Sequence, residues 1–149
     1  MNEESNADGR VLSTQRVLPF SSAEVFGAIE DPAQLAQWWG PDGFKNTVHR
    51  FNFVPGGEWE FTMHGRDGAD YRNTNVFAEI ERDHRVVIRH DCEPFFTLTI
   101  RLSEVDGGTL VEWEQAFDDA NVAQALKAMC EPANEQNLDR LTAVLNSRY

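Results

Sequence analysis

Two histidines, His49 and His90, carry the side chains best suited to acid–base chemistry, because an imidazole titrates near neutral pH. Alternation of apolar and polar residues places both in predicted strands, with Glu79 as the carboxylate in phase with the inward positions near them. A general base must lie within hydrogen-bonding distance of the proton that it removes. The two histidines are therefore candidates for catalysis, and a buried histidine that only pairs locally is the alternative.

His90 and Cys92 also raise the question of a metal site. Residues two apart share one face of a strand, and His49 could converge on them. A zinc site needs three or four protein ligands, however, and the sequence has no CxxC or zinc-ribbon spacing, since Cys92 and Cys130 stand far apart. We therefore predict no metal, no cofactor and two free thiols.

Aromatic and polar residues share the predicted inward face of the strands. Large rings need a wall or a core to cover them, and a few polar groups among them are typical of a ligand pocket. An ordinary filled core, in which each polar group pairs locally, is the alternative. The predicted apolar contacts are Trp39, Phe51, Trp59, Phe61, Met63, Phe96, Trp113 and Met129, and the predicted polar contacts are Tyr71, Asn75, His90 and Gln115.

The elements that position these residues begin with one strand and two short helices. Val11 to Leu18 alternates as a strand does. Ser21 and Glu24 form a capping box that starts the first helix. Asp31 caps the second helix directly afterwards, with Gln34 placed to complete a second box.

Six further strands and a long helix follow. A period of two runs from Phe44 to Phe117, interrupted by the turn signals Asp67-Gly68 and Asp106-Gly107-Gly108. Helical spacing then continues to the C-terminus and places Met129 on the apolar face. We predict an α+β domain, in which a curved antiparallel sheet of seven strands wraps around the long helix and two short helices lie between strands 1 and 2.

The charge balance of the chain restricts its partners. The 149 residues include 25 acidic and 13 basic side chains, so the net charge is −12. Such a field repels polyphosphates, and no apolar run is long enough to span a bilayer, so we predict neither nucleic-acid binding nor membrane insertion. Residues 1–9 are polar and lack the core of a signal peptide. We predict a disordered tail over residues 1–9, one domain over residues 10–149 and a cytoplasmic location.

Three segments of the sequence stand out: Asp31-Pro32-x-x-Leu35-x-x-Trp38-Trp39-Gly40-Pro41, Pro55-Gly56-Gly57-x-Trp59-x-Phe61-x-Met63 and Gly107-Gly108-Thr109. Together with the order of elements, they resemble the START-like helix-grip (SRPBCC) superfamily. The chain is more narrowly similar to its bacterial branch named after the C-terminal domain of the activator of heat-shock-protein-90 ATPase. The resemblance covers about residues 11–145 and implies a helix-grip fold with an internal hydrophobic pocket, in members that mostly bind small molecules or lipids.

Three functions remain open after these observations. We predict binding of a small hydrophobic or amphipathic molecule between the sheet and the C-terminal helix. An enzyme of the cyclase or dehydratase kind, with His49 or His90 as general base, is the second interpretation. A stress-related or co-chaperone-like interaction protein is the third, although 149 residues leave no room for the namesake's additional chaperone-binding domain. A homodimer is left open, because Trp38 or Trp39 could form a subunit contact.

Overall fold

The computed structural model describes residues 9–148 and has the predicted order of elements. The predicted tail, residues 1–9, lies outside the described residues except for Gly9. The elements are β1 (Val11–Leu18), α1 (Ser22–Glu30), α2 (Pro32–Trp38), β2 (Lys45–Phe51), β3 (Glu58–His64), β4 (Asp70–Glu81), β5 (Arg85–His90), β6 (Phe96–Val105), β7 (Gly108–Phe117) and α3 (Ala120–Arg148).

The strands of this part of the chain form one antiparallel sheet in the order β1-β7-β6-β5-β4-β3-β2. Strands β2 to β7 follow one another as neighbours, and β1 pairs with β7, so the first and last strands of the sequence meet. Helix α3 packs against β1, β7 and both short helices. The predicted α+β helix-grip fold with seven strands is confirmed.

The two short helices are joined at one residue. Ser21 accepts from the Glu24 N–H at 3.1 Å, and the Glu24 carboxylate accepts from the Ser21 N–H at 2.8 Å, which confirms the first capping box. Asp31 caps α2, but its own N–H ends α1 by donating to the Gly27 carbonyl. The Gln34 amide therefore donates to the Asp31 carboxylate at 3.0 Å, so the predicted second box is wrong in this detail.

A β-bulge in β2 reverses the alternation on which the role of His49 depends. The pairing with β3 shifts between Val48 and Arg50, so His49 is an extra residue. Val48 and Phe51 both face the core side, whereas His49 is exposed on the outer face, where Nε2 lies 2.7 Å from Thr62 Oγ1. The prediction that His49 faces the interior is wrong, because one inserted residue moves a strand's phase by one.

A second bulge, in β4, shifts the alternation of inward and outward side chains by one residue. The pairing with β5 shifts between Phe77 and Glu79, with Ala78 as the extra residue. Phe77 is fully buried, but Glu79 is exposed and forms an ion pair with Arg85 at 2.8 Å. Simple alternation predicts that Glu79 shares the inward phase of Asn75. The bulge makes that prediction wrong, because it turns Glu79 to the outer face.

Helix α3 is continuous over 29 residues, with Pro132 inside it. Its buried face includes Asn134, Asn137 and Leu141, whereas Met129 is 64% exposed. The prediction that Met129 lines the interior is wrong. Two positions of the buried face are asparagines, so a face assigned from apolar residues alone is displaced around the helix and includes Met129. None of the helices in residues 9–148 is both long and apolar enough to cross a membrane.

The concave face of the sheet carries two hydrophobic clusters. The larger one contains Trp38, Trp59 and Trp113. The smaller one lies at the start of α3 and includes Phe117, and Phe96 packs against both. The residues between the two clusters are therefore the candidates for a binding site.

Candidate functional site

One register row crosses the concave face and contains several of the residues predicted to bind a ligand. Each neighbouring pair in the row is directly opposed across adjacent strands, so the side chains lie on one face, about 5 Å apart. The middle of this otherwise aromatic row is polar. From β7 to β2 the row reads Phe117, Phe96, His90, Asn75, Trp59 and Phe51.

Trp39 covers this row and contacts both halves of the sheet. Its ring centroid is 4.9 Å from that of Trp59 in β3 and 5.7 Å from that of Trp113 in β7. Four strand spacings separate β3 from β7, about 19 Å in a flat sheet, so both rings reach Trp39 only because the sheet curls. Trp38 is fully buried, with its ring centroid 5.4 Å from that of Trp39 and 6.2 Å from that of Trp113, and it donates from Nε1 to the Ala28 carbonyl at 3.0 Å. Trp38 therefore anchors α2, and Trp39 borders the concave face.

The indole nitrogens of Trp59 and Trp113 are buried, and neither finds an acceptor within residues 9–148. Both side chains are 2% exposed. Buried indoles usually find a partner, and an unpaired buried N–H costs roughly 1–3 kcal/mol. Two rings that contact Trp39 therefore carry unused hydrogen-bond donors.

His90 is held by the chain through both ring nitrogens. Nδ1 lies 2.7 Å from the Pro94 carbonyl oxygen, and Nε2 lies 2.8 Å from Asn73 Oδ1 and 3.4 Å from Cys92 Sγ. Phe96 stacks on the imidazole with 4.3 Å between centroids. Burial lowers the pKa of His90 below its ordinary value, because the charged ring is desolvated.

Helix α3 contributes two buried amides that sequence reasoning missed. Asn134 Nδ2 donates to Gln115 Oε1 at 3.2 Å and so connects the helix to β7. Asn137 Oδ1 accepts from the Gly40 N–H at 2.8 Å, where a φ of +98° favours glycine. Both asparagines follow helical spacing with Leu141, and that spacing is the signal that could have identified them.

Arg140 was also missed, and it fixes the backbone on which Trp39 stands. Its guanidinium donates to backbone carbonyls of the last turn of α2 and of the segment between α2 and β2 at 2.8 to 3.1 Å. The side chain of Trp39 therefore projects from a tightly held segment. The accepting carbonyls are those of Gln37, Trp39, Gly40, Pro41 and Phe44.

The remaining predicted contacts differ in burial. Phe61 is buried, and Met63 is half-buried. Tyr71 pairs with Met63 in register but is 48% exposed, with its ring 6.3 Å from that of Phe44. The prediction that Tyr71 faces the closed interior is wrong, because it lies at the hairpin end of β4.

An open cleft of about 450 Å³ lies at the Phe96 end of the row. Its Pro94 carbonyl is the partner of His90, and its Val122 and Leu126 belong to the same cluster as Phe96. The volume is in the range of small-molecule sites. The cleft is lined by Glu93, Pro94, Phe95, Asp118, Asp119, Val122 and Leu126.

Metal ligation gains no geometric support in the described part of the chain. No three His, Cys, Asp or Glu side chains there are placed to hold an ion. His49 points to the opposite face of the sheet from His90, so the two do not converge. Cys92 and Cys130 are free thiols.

Several solved bacterial structures share this fold. A protein of Nitrosomonas europaea is 18% identical, with a TM-score of 0.87, and the alignment covers 96% of this chain and 97% of that chain. A protein of Mycobacterium smegmatis is 22% identical, with a TM-score of 0.85 and coverage of 95% and 94%. An AHSA1-like protein of Aeromonas hydrophila is 22% identical, with a TM-score of 0.74 and coverage of 93% of both chains.

The sequence itself matches one family over most of its length. No curated protein matches the chain. Residues 19–146, which include the Trp38-Trp39-Gly40-Pro41 segment and α3 up to its last turn, match the family described as activator of Hsp90 ATPase homolog 1-like proteins. The chain therefore belongs to the AHSA1-like family, within the START-like helix-grip fold.

Proposed function

We propose that this protein binds a small apolar or amphipathic molecule on the concave face, between the sheet and α3. The observation that carries the proposal is a set of buried polar side chains within the aromatic row and beside it, namely Asn75, His90, Gln115 and Asn134. Stability alone does not call for them, because apolar groups of the same shape can replace a buried polar pair at little or no cost. Folds of this kind commonly bind hydrophobic ligands, which supports the same function.

The ligand would contact aromatic surface and a few polar groups together. Trp39 is half-buried, and its ring contacts the rings of both Trp59 and Trp113. Gln115 and Asn134 offer amide groups that also join the sheet to α3. Apolar walls give affinity, and the amides orient the bound molecule.

The cleft beside Pro94 and Leu126 is the proposed entrance. It opens to the surface at one end of the row, and its lining is continuous with the cluster around Phe96. A bulky side chain at Leu126 would narrow this cleft without touching Trp39 or Gln115. Leu126→Trp is therefore expected to slow ligand association in stopped-flow fluorescence, whereas unchanged association would exclude this entrance.

Acid–base catalysis has weaker support from the geometry. His49 is exposed on the outer face, and both ring nitrogens of His90 have partners within the chain. A general base needs a lone pair directed at its substrate. The arrangement favours binding over a reaction that uses these two histidines.

The test begins with native mass spectrometry of gently purified protein, followed by extraction and identification of any small molecule. The double substitution Gln115→Met and Asn134→Leu removes the polar pair and keeps its approximate shape. We expect this variant to remain folded, with unchanged or higher stability, and to lose the retained molecule or affinity for an apolar fluorescent probe.

The matched control is Gln15→Met, the same change at an exposed position of β1. It should leave both binding and stability unchanged. Equal binding by the control and the double variant, with both folded, would show that the polar pair has no part in ligand binding.

A further inference from the structure

We infer that the ligand carries a neutral hydrogen-bond acceptor, a carbonyl or ether oxygen, which accepts from the indole N–H groups of Trp59 and Trp113; this rests on the function proposed above.

The two indole donors differ from their neighbour in the same cluster. Trp38 Nε1 has the Ala28 carbonyl as its acceptor at 3.0 Å. Trp59 Nε1 and Trp113 Nε1 are equally inaccessible to solvent, yet have no acceptor within residues 9–148. Since a buried N–H without a partner is unfavourable, these two positions are suited to an acceptor from outside the chain.

Three acceptors of the chain near the row are already engaged. Gln115 Oε1 accepts from Asn134, and the Pro94 carbonyl accepts from His90. The Trp59 carbonyl accepts from Asn75 Nδ2 at 3.3 Å. The buried Asn46 Oδ1 has no donor, but it pairs with neither indole, so a ligand oxygen would supply the acceptor that Trp59 and Trp113 lack.

The acceptor is neutral because no cation near it is free to pair with a charge. Arg140, the cation beside Trp39, already directs its guanidinium to five backbone carbonyls. The buried polar side chains of the described chain are serine, threonine, asparagine, glutamine and His90, whose charged form burial disfavours. A carboxylate placed among them would be desolvated without a cation to pair with it. A carbonyl or ether avoids that cost and still accepts from an indole N–H.

Three probes of similar shape separate these chemistries: benzophenone, diphenylmethane and diphenylacetate. Benzophenone and diphenylmethane differ only in a carbonyl against a methylene group, and diphenylacetate adds a charge. The measurement is the indole region of the ¹H–¹⁵N spectrum of the whole protein, in which each Trp Nε1–H gives its own signal. Trp→Phe variants assign the signals.

Benzophenone is expected to shift the Trp59 or Trp113 indole proton downfield and to leave the Trp38 signal in place. Diphenylmethane should bind about three- to tenfold more weakly, which is the usual effect of one hydrogen bond, and should produce no downfield shift. Trp59→Phe and Trp113→Phe remove the N–H and keep an aromatic ring. In at least one of these two variants, the affinities for benzophenone and diphenylmethane should become equal.

Trp38→Phe is the matched control, since its indole N–H already has a partner, and it should keep the preference for benzophenone. Equal affinities for benzophenone and diphenylmethane, with no indole shift, would overturn the inference and leave the proposed function standing. Tighter binding of diphenylacetate than of benzophenone would overturn the inference that the ligand's acceptor is neutral. Failure of all three probes to bind would count against the proposed function itself, and the inference would fall with it.

Discussion

Arg140 is the side chain on which the position of Trp39 depends most directly. Its guanidinium donates to five backbone carbonyls, one of which belongs to Trp39 itself. A planar guanidinium with several fixed donors suits such a cluster, whereas an ammonium concentrates its charge at one point. The shape of the concave rim under Trp39 is therefore maintained from α3, about one hundred residues further along the chain.

Replacing Arg140 should lower stability in a graded way. Arg140→Met removes every one of these hydrogen bonds and should cost about 3 kcal/mol, because several carbonyls lose their partner at once. Arg140→Lys should cost less, since lysine retains a charge and up to three donors. Urea unfolding monitored by tryptophan fluorescence measures the differences.

The control for this series is Arg101→Met, at an exposed position of β6, which should change stability by less than about 0.5 kcal/mol. A loss at Arg140 no larger than at Arg101 would mean that the loop holds its position without the guanidinium.

His90 predicts a pH dependence of stability. Burial lowers its pKa in the folded protein below the ordinary value of 6.5. As the pH falls below 6.5, the unfolded chain binds a proton that the folded chain does not, so stability is complete above that pH and declines below it. Each unit of pKa difference corresponds to about 1.4 kcal/mol.

Urea unfolding of the wild type and of His90→Asn at pH values from 7.5 to 5.0 isolates this contribution, because all other groups titrate in both proteins. The wild type should lose more stability over that range. Parallel curves for the two proteins would show that His90 takes up its proton equally well when folded.

At the scale of the element, the β2 bulge makes one residue dispensable. Deleting His49 removes the extra residue and leaves Val48, Arg50 and Phe51 in regular alternation, with Val48 and Phe51 still facing inward. The deletion should therefore give a folded protein, with a loss of about 1 kcal/mol. Circular dichroism and urea unfolding measure the outcome.

The control deletion removes Arg101 from β6, which pairs in unbroken register with both neighbours. It should prevent folding, because half of the strand then turns its apolar side chains to solvent. If the His49 deletion unfolds the protein just as completely, the bulge is required for the fold and its extra residue is not spare.

At the scale of the whole molecule, ligand binding should appear as added thermal stability. A ligand that binds the folded state alone at ten times its Kd contributes about 1.4 kcal/mol, which for a domain of this size corresponds to about 4 °C in Tm. Benzophenone is expected to raise Tm by this amount in differential scanning calorimetry. The Gln115→Met and Asn134→Leu double variant should show a smaller rise at the same concentration, and an equal rise would place benzophenone elsewhere on the protein.

The fold was predictable from the sequence because its signals are local. The Ser21 capping box, the turn glycines and the period of two from β2 to β7 each depend on neighbouring residues. They gave the order of elements and the α+β helix-grip fold, and they placed Trp59, Phe96 and Trp113 on the inward face. Much of the aromatic side of the candidate site follows from this alternation.

The alternation also placed Asn75, His90 and Gln115 on the inward face, whereas the contributions of β2 and α3 to the site required the tertiary structure. A bulge at His49 is defined by the register with β3, which no single strand encodes, so the phase beyond it could not be read from β2 alone. The buried face of α3 was decided by what it packs against, which is why Asn134 and Asn137 lie inward and Met129 does not.

The amino-acid sequence by itself thus determined the elements, their order and the apolar faces of the strands, because backbone geometry and hydrophobic periodicity act over a few residues. Tertiary structure alone decided which polar groups meet. Arg140 reaches the carbonyl of Trp39, and Trp59 and Trp113 reach the same ring across a curled sheet. Such contacts join residues far apart in the chain, and their geometry is set by sheet curvature and helix packing rather than by any local pattern.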